Sequence, residues 1–190
     1  MSSMADLSTD RLILRGWRPS DRIPFTRLNA DMRVMEYFPD LLTPADSRKM
    51  IERIEAHFVH YGFGLWAAEL RETSAFVGYI GLNVPAFDPP FTPHTNPLVE
   101  IGWRLAFDHW GCGLATEGAR AVLHHSFTTL AIDEIVAFTV PANQRSRRVM
   151  EKLGMTHNPA DDFNHPRLDE GHSLRRHVLY RIRPQNSGGA

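Results

Sequence analysis

Two periods of apolar residues organise this chain. From Val99 to Phe107 the odd positions are Val99, Ile101, Trp103, Leu105 and Phe107, while the even ones are Glu100, Gly102, Arg104 and Ala106. Alternation of period two predicts a strand with one face in the core and Glu100 and Arg104 together on the other. Met50, Ile51, Ile54, Phe58 and Tyr61 instead recur at helical spacing. Thr43 is placed to cap that helix, Pro44 suits its first position, and Gly62 stops it. Leu12–Arg15 reads as a short strand, and Pro19-Ser-Asp21 opens a helical patch. Gly64–Leu70 and Ala75–Leu82 read as a hairpin turning at Arg71–Ser74. Residues 85–97 carry five prolines (Pro85, Pro89, Pro90, Pro93, Pro97), which predicts a surface loop. A helix follows from about Gly113 to Leu130, then a strand Glu134–Val140. A helix Gln144–Leu153 closed by Gly154 and a last strand Arg176–Ile182 complete the series. The alternation predicts a mixed α/β sheet in one domain, residues 8–183, between loose ends at 1–7 and 184–190.

Composition narrows the function classes. The 190 residues are 43% hydrophobic and 23% charged, ordinary for a globular domain. A formal charge of −1 argues against a dedicated nucleic-acid binder. One cysteine makes neither an internal disulfide nor a thiolate-rich zinc site. No apolar run approaches the roughly 20 residues that span a bilayer. The first residues, MSSMADLSTDRL, lack the apolar stretch of a signal peptide. The expected address is therefore the cytoplasm, away from membranes.

The segment His109-Trp-Gly-Cys-Gly-Leu-Ala-Thr-Glu117 sits between predicted strand and helix. Gly111 and Gly113 let the backbone take positive φ or approach a ligand. The N–H groups from Gly111 to Thr116, with the positive helix end behind them, form a site for phosphate oxygens. The alternative is a tight turn without a ligand. A Walker loop is excluded, since the chain has no Gly-Lys pair. A dinucleotide fingerprint is disfavoured by Thr116 where a third small residue belongs, and by Asp133 preceding its strand instead of ending it. Asp161–Pro166 with His172 and His177 has metal-ligand residue types but no ligand spacing, so no metal is expected. His124-His125 reads as a polar helix face.

The segments WGCGLATEGARAVL, VEIGWRL before it and VPANQRSRRVMEKLGM after it resemble the GNAT acyltransferases, in the RimJ/RimL-type branch of N-acetyltransferases. TDRLILRGWRPSD, GFGLWAAELRETSAFVGYIGL and LRRHVLYRIR fit the same branch, so the likeness runs over about residues 8 to 182. It implies a single GNAT-type domain with a splayed central sheet flanked by helices, using acetyl-CoA as co-substrate and no metal. Pantetheine would lie along the splay, and the pyrophosphate on Gly111, Cys112, Gly113, Leu114, Ala115 and Thr116. Backbone groups of Leu105, Ala106 and Phe107 would polarise the thioester carbonyl. Asn143 matches the residue that holds the pantetheine arm. Arg148, on a helix that also carries Arg145, Arg147 and Lys152, suits the phosphates, although a solvated helix face explains each arginine equally. Cys112 is expected to contribute its backbone, not its thiol.

Glu100 matches a strand glutamate that accepts the amine proton, the alternative being an ion pair with Arg104. Met150 stands where many members place a tyrosine, and it cannot protonate a thiolate. Ser146 is the remaining donor, unless it serves helix packing or capping. The acceptor would be an amine of a protein N-terminus or a small molecule, framed by loop 85–97 and segment 157–173, and a homodimer is the family's frequent assembly. The competing classes are a catalytically weak or inactive acyl-CoA-binding module that serves as a sensor or partner-binding unit, and a nucleotide-binding protein that uses the same loop.

Overall fold

A computed structural model of the chain describes residues 5–91 and 93–184; of the loose ends expected at 1–7 and 184–190, residues 1–4 and 185–190 lie outside the described residues, and Leu7 is in a strand. The fold is mixed α/β, with nine strands and four α-helices among those residues. Two compact units are distinguished: the chain up to Asn83 together with Ile101–Val122, and Val84–Glu100 together with the chain from Leu123 onward.

In the first unit the strands run in the order β1 (Leu7–Ser8), β2 (Leu12–Arg15), β3 (Leu65–Leu70), β4 (Phe76–Asn83) and β5 (Glu100–Leu105). The first four pair antiparallel, with Leu14 opposite Leu7 and Ala68, and Ala67 opposite Tyr79. Helices α1 (Arg22–Asn29) and α2 (Pro44–Tyr61) supply Phe25, Leu28 and Ile51 to a core with Tyr79 of β4. The predicted cap of α2 is present: Asp46 N donates to Thr43 Oγ1 at 3.1 Å. The core also holds charge. Buried Arg15 donates through Nη1 to Asp21 at 2.7 Å and through Nε to Glu69 at 2.6 Å. Those carboxylates hold the Arg15 pKa above its usual value, the Asp21 hydrogen bond first, against the opposing effect of burial. Helix α3 (Leu114–Thr128) packs closely on β4, because a side chain at Gly118 would strike Ile80.

In the second unit β6 (Ile135–Thr139) pairs antiparallel with β9 (Arg176–Ile182), and Val136 also pairs in parallel with Glu100. Strand β9 further pairs with β7 (Thr156–His157) and β8 (Phe163–Asn164). Leu98, Val136, Phe163 and Leu179 form the core, and Phe87 and Phe91 pack on it. The proline-rich loop is therefore irregular yet anchored by its aromatics. Glu134, 2% exposed, is held by His94 at 2.8 Å, Arg181 at 2.7 Å and Arg183 at 2.8 Å. Burial raises its pKa, but the hydrogen bonds from His94, Arg183 and Arg181 outweigh that and leave it lowered. Helix α4 (Gln144–Lys152) follows β6.

Candidate active site

The β5–α3 connection is locked into one shape. Ala106 N donates to Val77 O at 2.8 Å, facing β4. Alternation along an extended backbone then directs the N–H groups of Leu105 and Phe107 away from β4. Phe107–His109 makes a single 3-10 turn, so the strand stops at Leu105, two residues short of the predicted end. Trp110 Nε1 donates to Leu105 O at 2.8 Å and Trp110 N to Phe107 O at 3.0 Å. These two bonds fix the carbonyls of Leu105 and Phe107.

Gly111 and Gly113 have φ of +77° and +86°, so both sit where a Cβ is disfavoured. No protein atom crowds a Cβ at Gly111, and at Gly113 the nearest is Arg11 Nη2 at 3.6 Å. The glycines answer to backbone conformation, and the space beside them is open. Residues 111–113 are exposed, whereas Leu114 and Thr116 are buried. Glu117 N donates to Gly113 O at 3.0 Å and closes the first helical bond. The N–H groups of Leu114, Ala115 and Thr116 therefore precede any intrahelical acceptor. Cys112 is exposed, its Sγ 3.3 Å from Trp110 O.

A clamp that the sequence pattern did not announce braces this turn. Arg11 donates through Nη1 to Cys112 O at 2.9 Å and through Nε to Glu117 Oε2 at 2.7 Å. Thr9 Oγ1 and Arg11 N both donate to Glu117 Oε1, at 2.6 and 2.8 Å. Burial raises the Glu117 pKa, but the Thr9 and Arg11 hydrogen bonds outweigh it, and the net shift is downward. Thr9 and Glu117 lie more than a hundred residues apart, and no local spacing reveals such a pair.

A cleft of about 240 Å³ is lined by Leu28, Asp31, Arg33, Phe76, Ala106 and Phe107, among others. Arg33 lies 3.9 Å over the Phe107 ring and pairs with Asp31 at 2.6 Å. Arg104 does not share an open face with Glu100 as the alternation predicted. It is 7% exposed, with Nη1 donating to Asn29 Oδ1 at 2.6 Å and Phe38 stacked on its guanidinium at 3.9 Å. Asn29 and the segment after α1, through Phe38, cover the side chain and override the period-two pattern there.

The remaining predicted residues lie in the second unit. Glu100 is half-buried at the start of β5. Asn143 is the N-cap of α4: its Oδ1 accepts from Ser146 N at 3.1 Å, and its Nδ2 donates to Thr139 Oγ1 at 3.0 Å. Ser146 is half-buried in the first turn, Arg148 is exposed, and Met150 is 2% exposed in the core. Arg147 reaches Tyr180 Oη at 3.3 Å and Pro141 O at 3.2 Å, so it belongs to the scaffold. His165 and His177 pack against Phe163, and burial lowers both, with His165 held down to about 4. Among the described residues no group of three or more His, Cys, Asp or Glu is placed to hold a metal ion, and no helix is long and apolar enough to cross a membrane.

Comparison with known proteins agrees with this arrangement. The model of the acetyltransferase (GNAT) domain matches residues 11–156. The uncharacterized protein YkkB of Bacillus subtilis (strain 168) is 33% identical over 156 residues, 82% of this chain and 87% of that protein. An acetyltransferase of Agrobacterium tumefaciens str. C58 superposes with a TM-score of 0.76 at 28% identity, covering 96% of each chain. RimJ of Mycobacterium smegmatis, solved with CoA-disulfide, shares the fold at 20% identity and a TM-score of 0.76, over 98% of this chain and 91% of that one. The chain belongs to the GNAT acetyltransferases and is an N-acetyltransferase of that family.

Proposed function

We propose that the protein transfers the acetyl group of acetyl-CoA directly to a primary amine, carried by a protein N-terminus or a small molecule. The observation that carries this reading is the Gly111–Thr116 turn: exposed at residues 111–113, at positive φ where glycine stands, and presenting helix-start N–H groups. Such donors fit a pyrophosphate without reorganising. Bound acetyl-CoA supplies an activated carbonyl and a thiolate that leaves readily. The N–H groups of Leu105 and Phe107 act on that carbonyl as fixed donors. Ala106 holds them in register through its bond to Val77. Exposed Arg148 adds positive charge for the phosphates. Asn143 serves the pantetheine arm through the amide proton that it does not spend on Thr139.

An α-amino group with pKa near 8 is roughly a tenth neutral at pH 7, so mild base assistance suffices. Glu100 is assigned that role. Ser146 is the candidate acid for the thiolate, and the buried Met150 takes no part. The test is release of coenzyme A thiol from acetyl-CoA across a panel of amines. Amine-dependent release is expected; coenzyme A binding without release indicates an inactive acyl-CoA-binding module, and displacement of coenzyme A by ATP or NAD indicates a nucleotide binder. Glu100→Gln should lower turnover about 10²-fold where the amine is mostly protonated. Full turnover there removes the base assignment.

A further inference from the structure

We infer that Arg104 is the docking point for a carboxylate carried by the acceptor amine, which makes it a specificity-determining residue next to the proposed thioester site. This rests on the reading of that site as an acetyl-transfer centre. Arg104 is 7% exposed, and among the described residues no carboxylate pairs with it. Two other guanidinium groups, buried at Arg15 and mostly buried at Arg181, are treated differently. Arg15 is matched by Asp21 and Glu69, and Arg181 by Glu134 and Asp161. The fold supplies carboxylate counter-ions to both of those groups. At Arg104 it supplies an amide oxygen and two aromatic rings, Phe38 at 3.9 Å and Tyr79 at 5.4 Å.

One edge of the guanidinium group has no hydrogen-bond partner among the described residues. Asn29 Oδ1 occupies Nη1, while Nε is buried with no hydrogen-bond partner. Nη2 likewise makes no hydrogen bond among the described residues. Nε–H and Nη2–H lie on one edge of the planar group, at the spacing of two carboxylate oxygens, and that edge accepts a carboxylate side-on. Phe38 stacks on a face of the guanidinium at 3.9 Å and so orients it. Asn29 is itself fixed, donating to Ser47 Oγ at 3.1 Å, so the fork is held before any ligand arrives. Leu105, whose N–H is assigned to the thioester carbonyl, is the next residue of the chain. An amine tethered to a carboxylate held here would be oriented towards that carbonyl.

The test separates binding from transfer. Glutarate and its diamide are titrated into the wild-type protein by calorimetry without any thioester. The acid should bind at least tenfold more tightly than the diamide. Arg104→Met should abolish that preference, and Arg104→Lys, which keeps the charge but loses the fork, should weaken it more than tenfold. Circular dichroism and coenzyme A affinity report whether each variant is folded; if Arg104→Met does not fold, the acid–amide comparison on the wild type decides alone. Equal or absent binding of acid and diamide, or a preference that survives in folded Arg104→Met, overturns the assignment. In the transfer arm, L-glutamate and the dipeptide Ala-Glu are compared with L-glutamine and Ala-Gln, which separates free amino acids from peptide ends. A lower KM for the acid members is expected, and equal KM values overturn the acceptor role. Acid binding without thiol release from acetyl-CoA on any amine defeats the transfer reading and, with it, the acceptor role, while leaving a carboxylate site.

Discussion

Replacing Gly113 by alanine separates a ligand-binding turn from a merely tight one. Its φ of +86° puts an alanine in the left-handed region, at a cost of about 1–2 kcal/mol. A smaller gain of about 0.4–1 kcal/mol from the stiffer unfolded chain offsets part of this. The new Cβ meets only Arg11 Nη2 at 3.6 Å, an ordinary contact, so the protein itself adds no clash. Gly62, which ends α2 at φ +76° with nothing within 4 Å of a Cβ, is a matched control. Both variants should lose about 1 kcal/mol, a few degrees in Tm for a chain of this size. They should part on coenzyme A. A hydrogen bond to a charged group contributes about 1.5–3 kcal/mol, so displacing even one phosphate contact weakens binding roughly ten- to a hundredfold. Calorimetric titration of coenzyme A into both variants, beside urea denaturation, measures the two effects separately. If Gly113→Ala binds coenzyme A as tightly as Gly62→Ala does, the turn holds no phosphate and the assignment fails.

Other consequences are equally measurable. Glu117→Ala removes the acceptor of Thr9 and Arg11; the partly exposed pair predicts a stability loss of only about 1 kcal/mol, with coenzyme A affinity reduced several-fold, and unchanged affinity by calorimetry would show the clamp to be irrelevant to the turn. Glu134→Gln leaves Arg181, Arg183 and His94 facing a neutral group in a buried place, and a loss of about 3 kcal/mol in urea denaturation is expected. His165, held down to about 4 by burial and then by His177 and Arg167, binds fewer protons folded than unfolded between about pH 6.5 and 4. Its contribution is complete above about pH 6.5 and disappears as pH falls towards 4. The urea midpoint should drop between pH 7 and pH 5, less so in His165→Phe, and identical pH profiles for the two proteins would refute the assignment to that ring.

The elements legible in the sequence were those with strong local chemistry. Thr43, Pro44 and Gly62 bound α2 as predicted, because caps and stops act over three or four residues. The last strand, Arg176–Ile182, was also placed correctly. Two-residue strands such as β1, β7 and β8 were not, since nothing local distinguishes them from loop; they exist by pairing with β2 and β9. The glycine turn was readable from its residues, but its brace was not: Arg11 and Glu117 meet only through the fold. Arg104 marks the sharpest departure, an arginine on the nominally polar side of an alternating strand that tertiary packing buries against Asn29 and Phe38. Resemblance points Asn143 at the coenzyme, while its side chain is largely engaged in capping α4 and in the bond to Thr139.

Direct transfer from acetyl-CoA to an amine has one decisive assay. Incubating the purified protein with acetyl-CoA and an amine panel, with thiol release and acetylated product quantified by mass spectrometry in the same samples, tests it most directly. Equimolar thiol and N-acetyl product, appearing together and only with the enzyme, is the predicted result. Tight coenzyme A binding with no acetylated amine above the enzyme-free control would contradict it.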